Sequence, residues 1–139
     1  MMKRPFLIII ISLILIQPVN AKTIKWDVEV QSTNADLLKC IKVVELKSKR
    51  SLLNSLAGAG IISQTPTNLT LQNNCKEGIK GLANVKLLDG DGFMVDDWPL
   101  QFNVQRKALS KSSFEFLTGP IKWKKIKSAL IEFKNLETF

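Results

Sequence analysis

Along residues 24 to 31, Ile24, Trp26, Val28 and Val30 alternate with Lys25, Asp27, Glu29 and Gln31. That period of two is the signature of a β-strand with one face on a core. After the turn-forming run Ser32-Thr33-Asn34-Ala35-Asp36, the stretch Leu37 to Lys47 sets β-branched Ile41, Val43 and Val44 among Lys39, Lys42 and Glu45. Its β-branched density predicts a second strand. A helix beginning at Asn34 or Asp36 also fits, because Leu37, Leu38, Ile41 and Val44 share a helical face. Lys47 to Arg50 reads as a charged turn, and Ser51 to Leu56 as a short helical turn, near 51–57, ended by Gly58 and Gly60. Asn68 to Gln72 reads as a short strand with Leu69 and Leu71 inward.

The second half of the chain is more regular. Leu82 to Leu88 is apolar apart from Asn84 and Lys86, and Asp89-Gly90-Asp91-Gly92 separates it from Phe93-Met94-Val95. Two apolar runs divided by Asp-Gly pairs predict a hairpin, since glycine accepts the positive φ that a tight turn needs. Asp96-Asp97-Trp98-Pro99 is expected to break the second arm before Leu100, Phe102 and Val104 resume the alternation. Phe114 and Phe116 mark another strand, stopped at Gly119-Pro120, and Ile126 to Phe133 a last one. The count is about seven short strands with no internal repeat, which makes an all-β sandwich the economical architecture.

The first residues carry an address. Met1-Met2-Lys3-Arg4 precede an apolar run from Phe6 to Ile16 that only Ser12 interrupts, then Pro18 and a Val-x-Ala site ending at Ala21. This is the layout of a secretory signal peptide, too short to span a bilayer. The expectation is cleavage of residues 1–21, a mature chain of residues 22–139 forming one domain, no transmembrane helix in that chain, and a periplasmic or secreted location. Of the formal net charge of +8, Lys3 and Arg4 would then belong to targeting alone.

Composition narrows the chemistry. The 139 residues include no His, which removes imidazole from every catalytic and metal-binding scheme. Neither a G-x-S-x-G elbow nor a phosphate-binding glycine loop occurs. The chain is therefore read as a non-enzyme without a cofactor. Cys40 and Cys75 are its two cysteines, and in an oxidising compartment an even number favours a disulfide.

Two charge clusters remain. Asp89, Asp91, Asp96 and Asp97 could offer oxygen ligands to Ca²⁺ or act as paired acids, although turn-forming Asp residues are the commoner use of such a sequence. Lys122, Lys124, Lys125 and Lys127 surround Trp123, a basic patch that would attract an anionic envelope component or an acidic protein face. Lysines of this kind also serve as a solvated strand edge. Stacking aromatics interleaved with the charge are missing, so nucleic acid is not an expected partner.

The segment Asn73-Asn74-Cys75-Lys76-Glu77-Gly78, the hairpin Leu87-Leu88-Asp89-Gly90-Asp91-Gly92-Phe93 and the later Ser113-Phe114-Glu115-Phe116 together resemble immunoglobulin-like domains of the FxLYD type, over roughly residues 69 to 133. Leu88 stands where Tyr is usual, and Ser110-Lys111-Ser112 replaces the glycine before the Phe strand. The resemblance implies an immunoglobulin-like sandwich in an extracytoplasmic, non-catalytic module with no common ligand. The leading expectation is a binding or structural module of the cell envelope, using Trp98 or the lysines around Trp123 as its contact. The alternatives are a periplasmic inhibitor or immunity protein that blocks an enzyme, and a metal-binding protein or hydrolase built on the Asp cluster. Oligomeric state is not legible in the sequence.

Overall fold

The computed structural model describes residues 22–50, 65–117 and 123–139. The helical turn expected near 51–57, the stop at Gly119-Pro120, Lys122 and the leader all lie outside the described residues. Among the described residues, eight strands and one helical turn follow each other as β1 (Lys22–Lys25), β2 (Val28–Ser32), α1 (Ala35–Leu38), β3 (Ile41–Arg50), β4 (Thr65–Asn73), β5 (Ile79–Asp89), β6 (Met94–Val104), β7 (Leu109–Phe116) and β8 (Ile126–Thr138). They form two packed four-stranded sheets, one in the order β1-β3-β4-β7 and the other β2-β8-β5-β6. The protein is an all-β sandwich. Like an immunoglobulin domain it packs two sheets face to face, but its middle strands are wired in their own order, with β4 beside β3.

The alternating segment at residues 24–31 is two strands. Trp26 N–H still donates to Leu46 O of β3 at 2.9 Å, whereas Asp27 O already accepts from Ala129 N of β8 at 2.9 Å. The chain thus steps from one sheet to the other between Trp26 and Asp27. β2 then runs parallel to β8, with Val28 opposite Ala129 and Ser32 opposite Phe133.

Leu37 to Lys47 divides as well. Asn34 Oδ1 accepts the Leu37 N–H at 3.1 Å and caps the single turn α1, and the β-branched residues then take the extended form from Ile41 onward. The imperfect alternation has a cause: a bulge between Val43 and Glu45 turns Val44 outward, where it is 42% exposed. The charged turn expected at Lys47–Arg50 is instead the end of β3, pairing with β1 from Lys25↔Lys47 to Lys22↔Arg50. Its lysines project from the solvent face, which a strand tolerates as readily as a turn does.

β6 is not broken at Asp96-Asp97-Trp98-Pro99. It pairs with β5 throughout, Asp97 opposite Lys86 and Pro99 opposite Asn84. Pro99 is accommodated because β6 lies at the border of its sheet, where one missing N–H leaves no interior ladder bond unmade.

Between the sheets lie Leu46, Leu69 and Leu71 from one side and Ile79, Val85, Leu87, Ile131 and Phe133 from the other, all at 1% exposure or less. Phe102 meets Phe133 edge to face at 5.5 Å, a geometry that adds to simple area burial. A buried polar line runs through the same layer. The Trp26 indole N–H donates to Ser48 Oγ at 2.9 Å, Ser48 and Thr67 share a hydroxyl hydrogen bond of 2.8 Å, and Thr67 Oγ1 donates to Thr65 O at 3.2 Å. Each hydroxyl is satisfied, so this line fixes register at little cost.

At the opposite end, Cys40 and Cys75 form a disulfide with Cα atoms 5.2 Å apart. Beside it, fully buried Asn73 donates through Nδ2 to Glu77 O at 2.7 Å and Val104 O at 3.2 Å, while its Oδ1 accepts from Cys75 N at 2.9 Å. One amide thereby ties the end of β4, the following loop and the end of β6.

Candidate functional site

The antiparallel pairing of β5 with β6 and β8 decides which of the singled-out residues meet. Leu88 lies between Met94 of β6 and Ser128 of β8, and Asp89 lies opposite Ile126. The Asp-rich hairpin and the lysine-rich entrance to β8, far apart in sequence, therefore share one end of the sandwich. The Lys127 side chain passes within 3.7 Å of where a Cβ on Gly90 would stand. Lys124, Lys125 and Lys127 are all exposed.

Trp123 does not belong to that surface. It is 5% exposed and meets Trp26 edge to face, centroids 5.5 Å apart at 74°. As a surface anchor it is a misreading: Lys124 and Lys125 after it are exposed, and the indole itself packs into the core. Nothing in the local pattern separates the two cases, because an aromatic flanked by lysines is also what a strand entering a core looks like.

Trp98 is at the surface, 36% exposed. It lies flat on Phe114 of β7, centroids 5.8 Å apart at 15°, and Phe114 in turn meets Phe116 edge to face at 5.3 Å. β6 and β7 border different sheets, so this stack closes the open side of the sandwich. One face of the indole is thus spent on structure.

Two of the four carboxylates, those of Asp89 and Asp96, accept backbone hydrogen bonds. Asp89 Oδ1 accepts the N–H groups of Asp91 and Phe93, both at 2.9 Å, while Asp89 O accepts from Gly92 N at 3.2 Å and Asp89 N donates to Phe93 O at 2.9 Å. This is a three-residue hairpin loop held by its first side chain. Asp96 Oδ1 accepts the N–H of Asp97 at 2.8 Å. Among the described residues, no group of three or more acidic or cysteine side chains converges as a metal site would require.

Gly92 closes the turn with φ +85°, and a Cβ there would meet nothing within 4 Å. The cost of a side chain is then conformational alone. Gly92→Val should lower stability by about 1 kcal/mol or more, and Gly92→Asn by less, because Asn enters the left-handed region more easily. Urea midpoints of the two variants against the parent chain check this ordering, and equal midpoints for all three would remove the requirement.

The sequence reading missed the two residues this turn presents. Phe93 is 71% and Met94 55% exposed, directly after the loop of the hairpin. The available signal was position: an apolar pair directly after the closing glycine of a tight loop sits beyond the last core layer. On the outer face of the same sheet, Lys86 Nζ donates to Glu132 Oε1 at 2.7 Å and Lys134 stands 3.8 Å from the other oxygen. The Lys86 hydrogen bond, and then the charges of Lys86 and Lys134, hold the Glu132 carboxyl below its ordinary value against some desolvation.

No family model matches the chain, and no curated protein matches it at a significant level. Among solved structures, the crystal structure of Campylobacter jejuni cj0090 is similar with a TM-score of 0.41 and 14% identity, covering 77% of this chain and 95% of that one.

Proposed function

We propose that the protein is an exported, non-catalytic binding module of the cell envelope, of the immunoglobulin-like kind that the FxLYD-type motifs suggest, and that it holds a partner protein through the β5–β6 hairpin. The observation that carries this reading is the pair Phe93 and Met94, at 71% and 55% exposure, on a loop that Asp89 makes rigid. Large apolar side chains contribute most to binding when they are already ordered in the free protein. Lys124, Lys125 and Lys127 at the same end of the sandwich supply steering towards an acidic rim on the partner. Export is supported by the leader-like first residues together with the disulfide. Among the described residues no helix is long and apolar enough to cross a membrane.

The same hairpin supports a second reading, in which Phe93 enters the cleft of an enzyme as an inhibitor does. A photo-crosslinking residue placed at Phe93 in the producing cell separates these readings. One discrete adduct with an envelope protein, lost when Lys124, Lys125 and Lys127 are reversed to Glu and absent with the crosslinker at Thr23, is the expected result. If the adduct is an enzyme whose turnover falls on binding, the inhibitor reading replaces the first. No adduct specific to position 93 would overturn both.

A further inference from the structure

We propose that two copies of the protein pair through the open edge of β7, joining their β1-β3-β4-β7 sheets into one continuous sheet. β7 is hydrogen-bonded to β4 on one side, from Gln72↔Leu109 to Thr65↔Phe116, and among the described residues it borders the sheet on the other. An unpaired edge offers a row of N–H and C=O groups to any extended chain, and proteins usually guard it. The other borders are protected: β1 and β2 have 4 and 5 residues, and β6 carries Pro99 in its middle. β7 spans 8 residues with neither Pro nor Gly.

The exposed row along β7 and the residue that follows it reads Leu109, Lys111, Ser113, Glu115, Leu117. It is its own complement when reversed. In an antiparallel pair the pleat places opposite residues on the same face, so a two-fold axis joining two copies of β7 must pass through a residue position. With the axis at Ser113, Lys111 of each copy lies opposite Glu115 of the other, and Leu109 opposite Leu117. These leucines are 64% and 51% exposed in the single chain. Moving the axis to Ser112 sets Leu109 against Glu115, and moving it to Phe114 sets Lys111 against Leu117. One register alone matches charge to charge and leucine to leucine. Lys111 is thus a guard against general strand addition, since a foreign strand seldom brings an acid to that place, and a second copy of β7 supplies one twice. The pairing is isologous and closes at two copies. It uses neither Phe93 nor the lysines at the same end of the sandwich, so it stands apart from the hairpin reading.

Sedimentation equilibrium of the purified protein across the micromolar range tests it. The expected result is a dimer that Lys111→Glu and Glu115→Lys each weaken on the order of tenfold or more, because each places two pairs of like charges directly opposite. An equimolar mixture of the two variants should recover the dimer, as should the double exchange Lys111→Glu with Glu115→Lys. Both positions are exposed, and unchanged circular dichroism would show each variant folded. Monomer at every concentration, a dimer indifferent to either reversal, or a mixture that stays monomeric would each overturn the proposal.

Discussion

Replacing Trp123 by Ala destabilises the protein by about 3–5 kcal/mol, a large part of the stability that holds a domain of this size together. The indole is buried to 5% exposure, and its loss removes the edge-to-face partner of Trp26. Trp26 in turn begins the hydrogen-bonded line through Ser48 and Thr67, so the cavity opens beside polar groups that need their geometry kept. Trp123→Phe retains an aromatic ring and should cost less than half as much. Urea unfolding followed by circular dichroism checks both. A Trp123→Ala protein as stable as the parent chain would put the residue back at the surface and reopen the lysine cluster around it as a contact.

Breaking the Cys40–Cys75 disulfide gives the second large loss. The cysteines are 35 positions apart in sequence, and opening such a loop relaxes the unfolded chain by roughly 3–4 kcal/mol on the chain-entropy account. The folded state should survive it. Asn74 N still donates to Cys40 O at 2.9 Å, and the three hydrogen bonds of Asn73 hold the same corner. The Cys40→Ala/Cys75→Ala protein should therefore unfold cooperatively, with an unchanged native spectrum and a guanidinium midpoint well below that of the oxidised chain. Equal midpoints with and without reductant would mean that the bond adds nothing to stability.

The sequence pattern shows an all-β protein clearly, because strand faces follow from side-chain alternation and hairpins from Asp-Gly pairs. β5, β7 and β8 could be placed from these signals alone, and so could the Asp89–Gly92 turn. It is less informative where alternation is preserved across a change of partner. Ile24 to Gln31 alternates without a break, and only the hydrogen bonds at Trp26 and Asp27 reveal that the chain leaves one sheet for the other. Burial of Trp123 depends on Trp26, roughly a hundred residues earlier, and no local window contains both. The candidate surface was half legible for the same reason. The lysines at 124, 125 and 127 could be read locally, whereas their placement at the same end as Phe93 and Met94 depends on the register of β5 with β6 and β8. Nothing local marks Asn73 apart from the Asn74 beside it, and its central position among three backbone segments is a product of tertiary closure.

The parallel pairing of β2 with β8 also sets the timetable of folding. Val28 finds its neighbour in Ala129, and Ser32 in Phe133, so a strand near the beginning of the chain has no sheet to join until the last strand exists. Contacts this remote in sequence demand loop closure before they give anything back, which places such chains among the slow folders, at milliseconds to seconds. A ribosome-bound chain lacking β8 would hold β2 as an open strand, while the β5–β6 hairpin of the same sheet could already pair.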